Sequence, residues 1–444
     1  MNRRKFMKVA GLAAVVPASS ASATSSQTNN ILQSADPLDP IDLGTGPSLT
    51  NEQLTERLRL LAQKNDRMDL QRIGKSAGRR DPIWEVQIGD GDTSIHIINQ
   101  IHGDEPFGTE ALMSIFRRLV DGNSRLVDSI LDNLSLTVIP RANPDGAMYT
   151  EDENDDGEEQ RLGLRQNIQS WNSNHSHQRP YYHVEEFPGD ERGGYDPNRD
   201  FNIKPDFVST VDDTPDMWQT DDDGEPTGVL EMERDGHTLE ESGVQATPAV
   251  EAITRSFLNA DPDYAKTIHS QGLPLDPETG EVTILSVMAP YGPMYAEEAP
   301  FGDPEEDATA DFVNPFLDQE TSDRGIRLNE LCAQALEEYA GPWSAFETGT
   351  RFGYTTLWGS YLDTLCPQTD AAGMLYELPG QTDSVGDRAY YMKVEATRVA
   401  LLESFTQLAQ DPSLTQTGIE VDDYFDRPLA EGSYEEGRGA SDVS

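Results

Sequence analysis

The sequence predicts an α/β fold, a single domain on a mixed, largely parallel central sheet, with helices on both faces and long acidic loop insertions. Three observations carry that expectation. Short apolar runs of strand length alternate with longer stretches whose apolar residues recur at helical spacing, as in crossover units. The run from Ile95 to Ile101 is apolar-rich, as befits a strand covered on both faces. Three strand-like runs end in chemically capable residues: His102 and Glu105, then His269, then Glu377. In open α/β sheets ligands bind beyond the carboxyl ends of the strands, so these residues are expected along one rim.

The chain begins with an address rather than a fold. Arg3 and Arg4 precede an apolar run from Val9 to Val16, and Ala21-Ser22-Ala23 offers a small-residue cleavage site. This is the layout of a twin-arginine export signal over residues 1–23, and its apolar run is too short to span a bilayer. The protein is therefore expected to leave the cell folded, through the twin-arginine export machinery. No cysteine follows the run, so no lipid anchor is expected, and no later stretch reads as a membrane span. Residues 24–48 are Ser-, Thr-, Asp- and Pro-rich and read as a linker.

The domain is expected over 49–410. A helix starts at 49–52 with Thr50 or Asn51 as cap, and Leu54, Leu58 and Leu61 form its inner stripe. Residues 72–80, with two glycines, read as a turn, and 83–88 as a strand. The next strand, 94–101, could pair with it as a hairpin across Gly89-Asp90-Gly91-Asp92. Pro106 suits a first helical turn, and 107–120 place Leu112, Ile115, Phe116 and Leu119 on one face. Residues 134–139 form another strand. From 149 to about 247 the pattern dissolves into an acidic, Gly/Pro-rich insertion. Helices follow at 248–259, 322–339 and 388–408, with strands at 264–268 and 373–376 and an irregular region at 274–315. Beyond 411 the acidic, weakly patterned tail reads as loose.

Composition narrows the partners. Asp and Glu number 80 against 33 Lys and Arg, giving a formal charge of −47, and only seven of the bases are Lys. Such self-repulsion needs screening, so dispersed acids with few lysines point to adaptation to high salt, as in a haloarchaeon. Nucleic acid and anionic membranes are poor partners for this surface. Two cysteines, Cys332 and Cys366, are too few for a disulfide framework and are equally compatible with one bridge or two buried thiols. Asp152, Asn154 and Asp156 space their oxygens like the start of a calcium loop, but Gly163 stands where the closing Glu should be. A solvated acidic loop is the preferred reading there, and also for the shorter run at Asp221.

Two histidines and one glutamate are the ligand set of a catalytic zinc site that keeps a position open for water. A neighbouring carboxylate that is not a ligand can take that water's proton. The blander readings are a turn histidine at His102 and a satisfied core histidine at His269. His96, His175, His177, His183 and His237 lack the combination of strand end and partner. Glu377, set among apolar residues, would be a costly buried charge without a purpose.

At this point the motifs resemble a known family, the zinc carboxypeptidases of the carboxypeptidase A type. The matching pieces, in order, are Ile73-Gly-Lys-Ser-Ala-Gly-Arg79, His102-x-x-Glu105, Asn143-Pro-Asp-Gly146, Asp196-x-Asn-Arg199, Ile268-His-Ser270 and Tyr376-Glu-Leu378. The resemblance implies that His102, Glu105 and His269 bind one zinc and that Glu377 is the general base and then the acid. Asn198 and Arg199 would hold the terminal carboxylate of a peptide, and Arg165, with Arg161 as runner-up, would stabilise the oxyanion. It further implies a role for Arg79 in substrate binding and a substrate-capping Tyr361, with Trp358 as the competing alignment. The expected protein is an exported, monomeric metallocarboxypeptidase acting on peptides with a free C-terminus. A related zinc amidohydrolase, acting on an acyl-amino acid or a cell-wall peptide, and an inactive peptide-binding relative are the competing readings. The chain departs from the family pattern at Asp200, which adds a negative charge beside the Asn198–Arg199 pair.

Overall fold

The computed structural model describes residues 48–430 except 65, 152–159, 171–184, 187–191, 195, 208–217, 221–225, 246, 273, 278–279, 281, 300–311, 340–345, 347–348 and 381–386. The expected export signal, the linker up to residue 47, the calcium candidates Asp152, Asn154 and Asp156, the Asp221 run, and His175, His177 and His183 lie outside the described residues.

The central sheet has eight strands: β1 (Met68–Lys75), β2 (Pro82–Ile88), β3 (Thr93–Asn99), β4 (Leu134–Ile139), β5 (Tyr264–Gln271), β6 (Leu285–Met288), β7 (Gly349–Arg351) and β8 (Ala372–Pro379). Their order is β1-β2-β4-β3-β5-β8-β6-β7. The middle four, β4-β3-β5-β8, are mutually parallel. β2 and β6 run antiparallel at the flanks of this block, so the sheet is mixed and largely parallel as expected. β5 and β8 are buried along their whole length, and Ile95, Ile97 and Ile98 of β3 are fully buried, as central parallel strands require.

Helices cover both faces. In β3 and β5 the register pairs His96 with Ala265 and Ile97 with Lys266. His96 packs on Phe257 of α4 (Pro248–Ala260) and Tyr361 of α6 (Tyr361–Thr369). Lys266, one residue out of phase, faces Phe405 of α7 (Asp387–Leu408). α1 (Asn51–Ala62) is capped by Thr50, whose hydroxyl accepts from Gln53 N while Gln53 reaches back to Thr50 N. α2 (Phe107–Asp121) buries Leu112, Ile115, Phe116 and Leu119, the face expected from its spacing. α3 (Arg125–Asn133), α5 (Gln319–Glu337) and α8 (Val421–Asp426) complete the set among the described residues. Among the described residues no helix is long and apolar enough to cross a membrane.

Two expectations are corrected. β2 and β3 do not form a hairpin, because β4 lies between them, antiparallel to β2 and parallel to β3. Gly89 and Gly91 admit the α3–β4 backbone: a Cβ on either would collide with main chain at Asn133 and Leu134. Nor are residues 411–430 loose. Arg427 pairs with Glu330 at 2.7 Å and with Glu337, and Arg351 N donates to Pro428 O at 2.9 Å, extending the sheet past β7. Cys332 and Cys366 are both free and buried.

Part of the insertion is also ordered. Trp218–Thr220, Pro226–Arg234 and His237–Ser242 form a three-stranded antiparallel ribbon. Leu230, Met232, Leu239 and Val244 pack beneath it with Ile203 and Trp358 in a second small core.

Candidate active site

The rim beyond β3 is shaped by close backbone approach. Gln100 takes a left-handed conformation (φ 52°), and its side chain ties the turn by donating to Gly103 O at 2.7 Å and accepting from Arg141 at 2.7 Å. Gly103 lies so close to Gly146, in the loop after β4, that a Cβ would overlap its carbonyl carbon. Gly103 N donates to Leu164 O, and Leu164 N to Gly146 O, both at 2.9 Å. Three loops distant in sequence thus interlock, and the third delivers Arg165.

His102, Glu105 and His269 converge there, all buried, with one ligand atom from each lying within 4.8 Å of the others. His102 Nδ1 is 2.9 Å from Glu105 Oε1, and His269 Nδ1 is 3.1 Å from both Glu105 Oε2 and His102 Nδ1. The other nitrogen of His102, Nε2, is 3.1 Å from Asp196 Oδ1, which holds the proton on Nε2 and turns the Nδ1 lone pair inward. Glu377 reaches the same rim from β8, whose register places it directly beside His269. Adjacent in-register residues of a sheet share a face, so this pairing is a consequence of strand order.

The electrostatics suit a cation. Burial pushes His269 down to about 3, with the Arg165 and Arg199 charges adding to the effect, so the ring is neutral and able to ligate. Burial raises Glu105, although His102 opposes it. Burial and then the nearby Glu105 hold the Glu377 carboxyl well above the usual range, with Arg165 opposing. Oε2 of Glu105, Oε2 of Glu377 and Nε2 of His269 are buried without a hydrogen-bond partner. Two inward imidazole nitrogens 3.1 Å apart, beside carboxylate oxygens lacking donors, form a donor set that a divalent metal satisfies.

Asp196 is the residue that sequence reading left without a role. Besides His102, it accepts Asn198 N at 2.8 Å and Arg165 at 2.7 Å, with Arg199 at 3.9 Å. Burial disfavours its charge, yet Arg165, His102 and Arg199 together hold its carboxyl well below the usual range. Its position at the head of Asp196-x-Asn-Arg was the available signal. Arg165 also brings Nη1 within 3.2 Å of His102 Nδ1, whereas Arg161 is engaged with Ser48. Asn198 and Arg199 sit together in a 3-10 turn, Pro197–Arg199, on the Asp196 side of the cluster.

Other expected residues fall elsewhere. Arg79 is half-exposed and pairs with Asp81 at 3.1 Å, while its backbone N donates to Asp145 Oδ1 at 2.7 Å. Tyr361 is corrected: its phenol is buried against His96 Nδ1 at 2.6 Å, in the core beneath the sheet, where it cannot cap a substrate. The alternative, Trp358, is likewise buried, under the ribbon. Asp200 Oδ2 accepts Thr247 N at 2.8 Å and Thr247 Oγ1 at 2.7 Å at the start of α4.

Comparison with known proteins agrees with this geometry. The family described as zinc carboxypeptidase matches residues 54–272, a span holding His102, Glu105 and His269 but ending before Glu377. Carboxypeptidase SOL1 of Arabidopsis thaliana is 29% identical over 107 residues, which is 22% of this chain and 22% of that protein's length. The solved structure of thrombin activatable fibrinolysis inhibitor shares the fold, with a TM-score of 0.52 and 12% identity, over 88% of this chain and 81% of that one. The span of this chain that matches the zinc carboxypeptidase family, residues 54–272, thus carries both histidines and the glutamate of the buried cluster.

Proposed function

We propose that this protein is a zinc-dependent metallocarboxypeptidase that hydrolyses the C-terminal peptide bond of peptides with a free carboxyl end. One observation carries the reading: a buried His102–Glu105–His269 donor set lies beside an unshared buried glutamate and an Asn-Arg pair. His102 and His269, through Nδ1, and Glu105, through its carboxylate, would hold the zinc. Bound there, zinc supplies a Lewis acid and lowers the pKa of a water. Glu377, its proton affinity raised by burial, accepts the proton released in attack and delivers it to the leaving amine. Arg165, oriented by Asp196, donates to the oxyanion that develops on the scissile carbonyl. Asn198 and Arg199 bind the terminal carboxylate, the guanidinium presenting a planar fork of donors.

Paired N-blocked peptides that differ only in a free or amidated C-terminus test the reading. Cleavage of the free form alone is expected, and equal cleavage of both would sink it. Glu377→Gln is expected to keep its zinc, measured by mass spectrometry, while kcat falls by roughly 10²–10⁴-fold. We further propose that the protein works outside the cell as a monomer in high salt, after twin-arginine export. Mass spectrometry of secreted protein should find an N-terminus just after Ala23, and retention of Met1 would contradict that route.

A further inference from the structure

The Asn198–Arg199 turn is gripped between two glycines that come from far along the chain. Gly359 lies against Arg199: a Cβ there would overlap the Arg199 carbonyl oxygen and stand 2.7 Å from its carbon and 2.8 Å from its Cα. On the other side Gly243, at the end of the ribbon, lies against Asp200, where a Cβ would be 2.6 Å from both Cα and O. Neither glycine has a positive φ, so close approach rather than backbone freedom is what excludes a side chain. Phe201 joins the two sides, its N–H donating to Gly359 O at 3.1 Å and its carbonyl accepting Gly243 N at 3.0 Å.

The next residues after Gly359 reach the Asn198 side chain itself. Ser360 caps α6, and the first N–H of that helix, on Tyr361, donates to Asn198 Oδ1 at 3.0 Å. This bond engages the acceptor end of the Asn198 amide and leaves the Nδ2 donors for a ligand, the polarity a carboxylate needs.

We infer that Gly359 is a positioning residue for the substrate's terminal carboxylate, acting through the backbone of Arg199 and, with the α6 N-terminus, on the Asn198 amide. Gly243 holds the same turn from the ribbon side. The inference rests on the carboxypeptidase reading, and the test separates the two. With the zinc-loaded full-length protein, kcat and KM are measured on the free and amidated peptide pair. A wild type that does not distinguish the pair defeats the carboxypeptidase reading. If it does, Gly359→Ala should raise KM for the free peptide by about tenfold or more, with kcat within about twofold and zinc content unchanged. An unchanged KM, or a fall in kcat alone, would overturn the inference. Should Gly359→Ala fail to fold, Ser360→Ala carries the test, because it loosens the same helix start without new bulk. A KM raised several-fold at unchanged kcat supports the inference, and an unchanged KM refutes it.

Discussion

The carboxylate of Asp196 takes His102 Nε2 on one oxygen and Arg165 on the other, so one side chain sets both the tautomer of a candidate metal ligand and a guanidinium's aim. Asp196→Asn keeps the volume but loses the charge. Zinc affinity, read by chelator competition, is expected to fall by about 10–100-fold, as for other carboxylates behind ligating histidines. A second histidine shows the opposite design. His96 in β3 is buried between Tyr361 OH at 2.6 Å and Ser256 Oγ at 2.9 Å, and Ser256 in turn donates to Glu85 at 2.5 Å. Burial lowers its pKa from 6.5 to about 3, so the folded protein holds a neutral ring where the unfolded chain would take a proton. The stability from that neutral ring is complete above the unfolded value and is lost as pH falls from 6.5 towards 3, by up to about 1.4 kcal/mol per pH unit. His96→Phe should lower stability near neutrality yet flatten the acid limb of a Tm-against-pH curve by up to one proton's slope. An acid limb as steep as that of the wild type would show that His96 is not the group responsible.

At the scale of elements, β4, α1 and α2 were legible because each carries a strong local signal: an apolar run with flanking breakers, a capping box, or an apolar face at helical spacing. β1 was not, since it is an edge strand with mostly half-exposed or exposed residues and a register shift between Arg72 and Gly74. α6 was missed because it is short and contains Pro367. The ordered stretch 411–430 was missed for another reason, that its hold on the domain is ionic and long-range. Arg427 meets Glu330 through two bonds, at 2.7 and 2.8 Å, with both side chains nearly excluded from water. Arg427→Met should therefore destabilise by about 3–5 kcal/mol in a denaturant titration, because it strands a buried Glu330. Adding Glu330→Leu should recover much of that loss, and a double variant no better than the single would contradict the assignment. The backbone pairing of Pro428 and Ala430 with Arg351 also covers the edge of β7, which would otherwise offer open donors and acceptors.

The whole molecule carries −47 formal charges, while the rim of the candidate site concentrates Arg165 and Arg199 beside buried acids. The long-range repulsion is a property of the surface, and salt removes it as the screening length shrinks from about 8 Å at 0.15 M to about 3 Å at 1 M. Tm is expected to climb steadily over that range of added KCl and beyond. A flat or falling curve would show that the acidic surface is not a stability liability relieved by salt. The pairs at Asp196 and at Glu330, being buried, should respond little to the same salt.

That His102, Glu105, His269 and Glu377 sit at strand ends was readable before any coordinates, because strand ends are local signals, and the structure gathers them at one rim. The Asn198–Arg199 pair was readable from its motif alone. What tertiary structure decided was arrangement: that β4 separates β2 from β3, that Tyr361 turns into the core, and that Asp200 accepts hydrogen bonds from Thr247 at the start of α4. It also decided that Asp196 links His102 to the Asn198–Arg199 turn, and that two distant glycines press on that turn and on Asp200 beside it. Local periodicity reports which residues face a core, but which strands and loops become neighbours depends on packing between segments far apart in the chain.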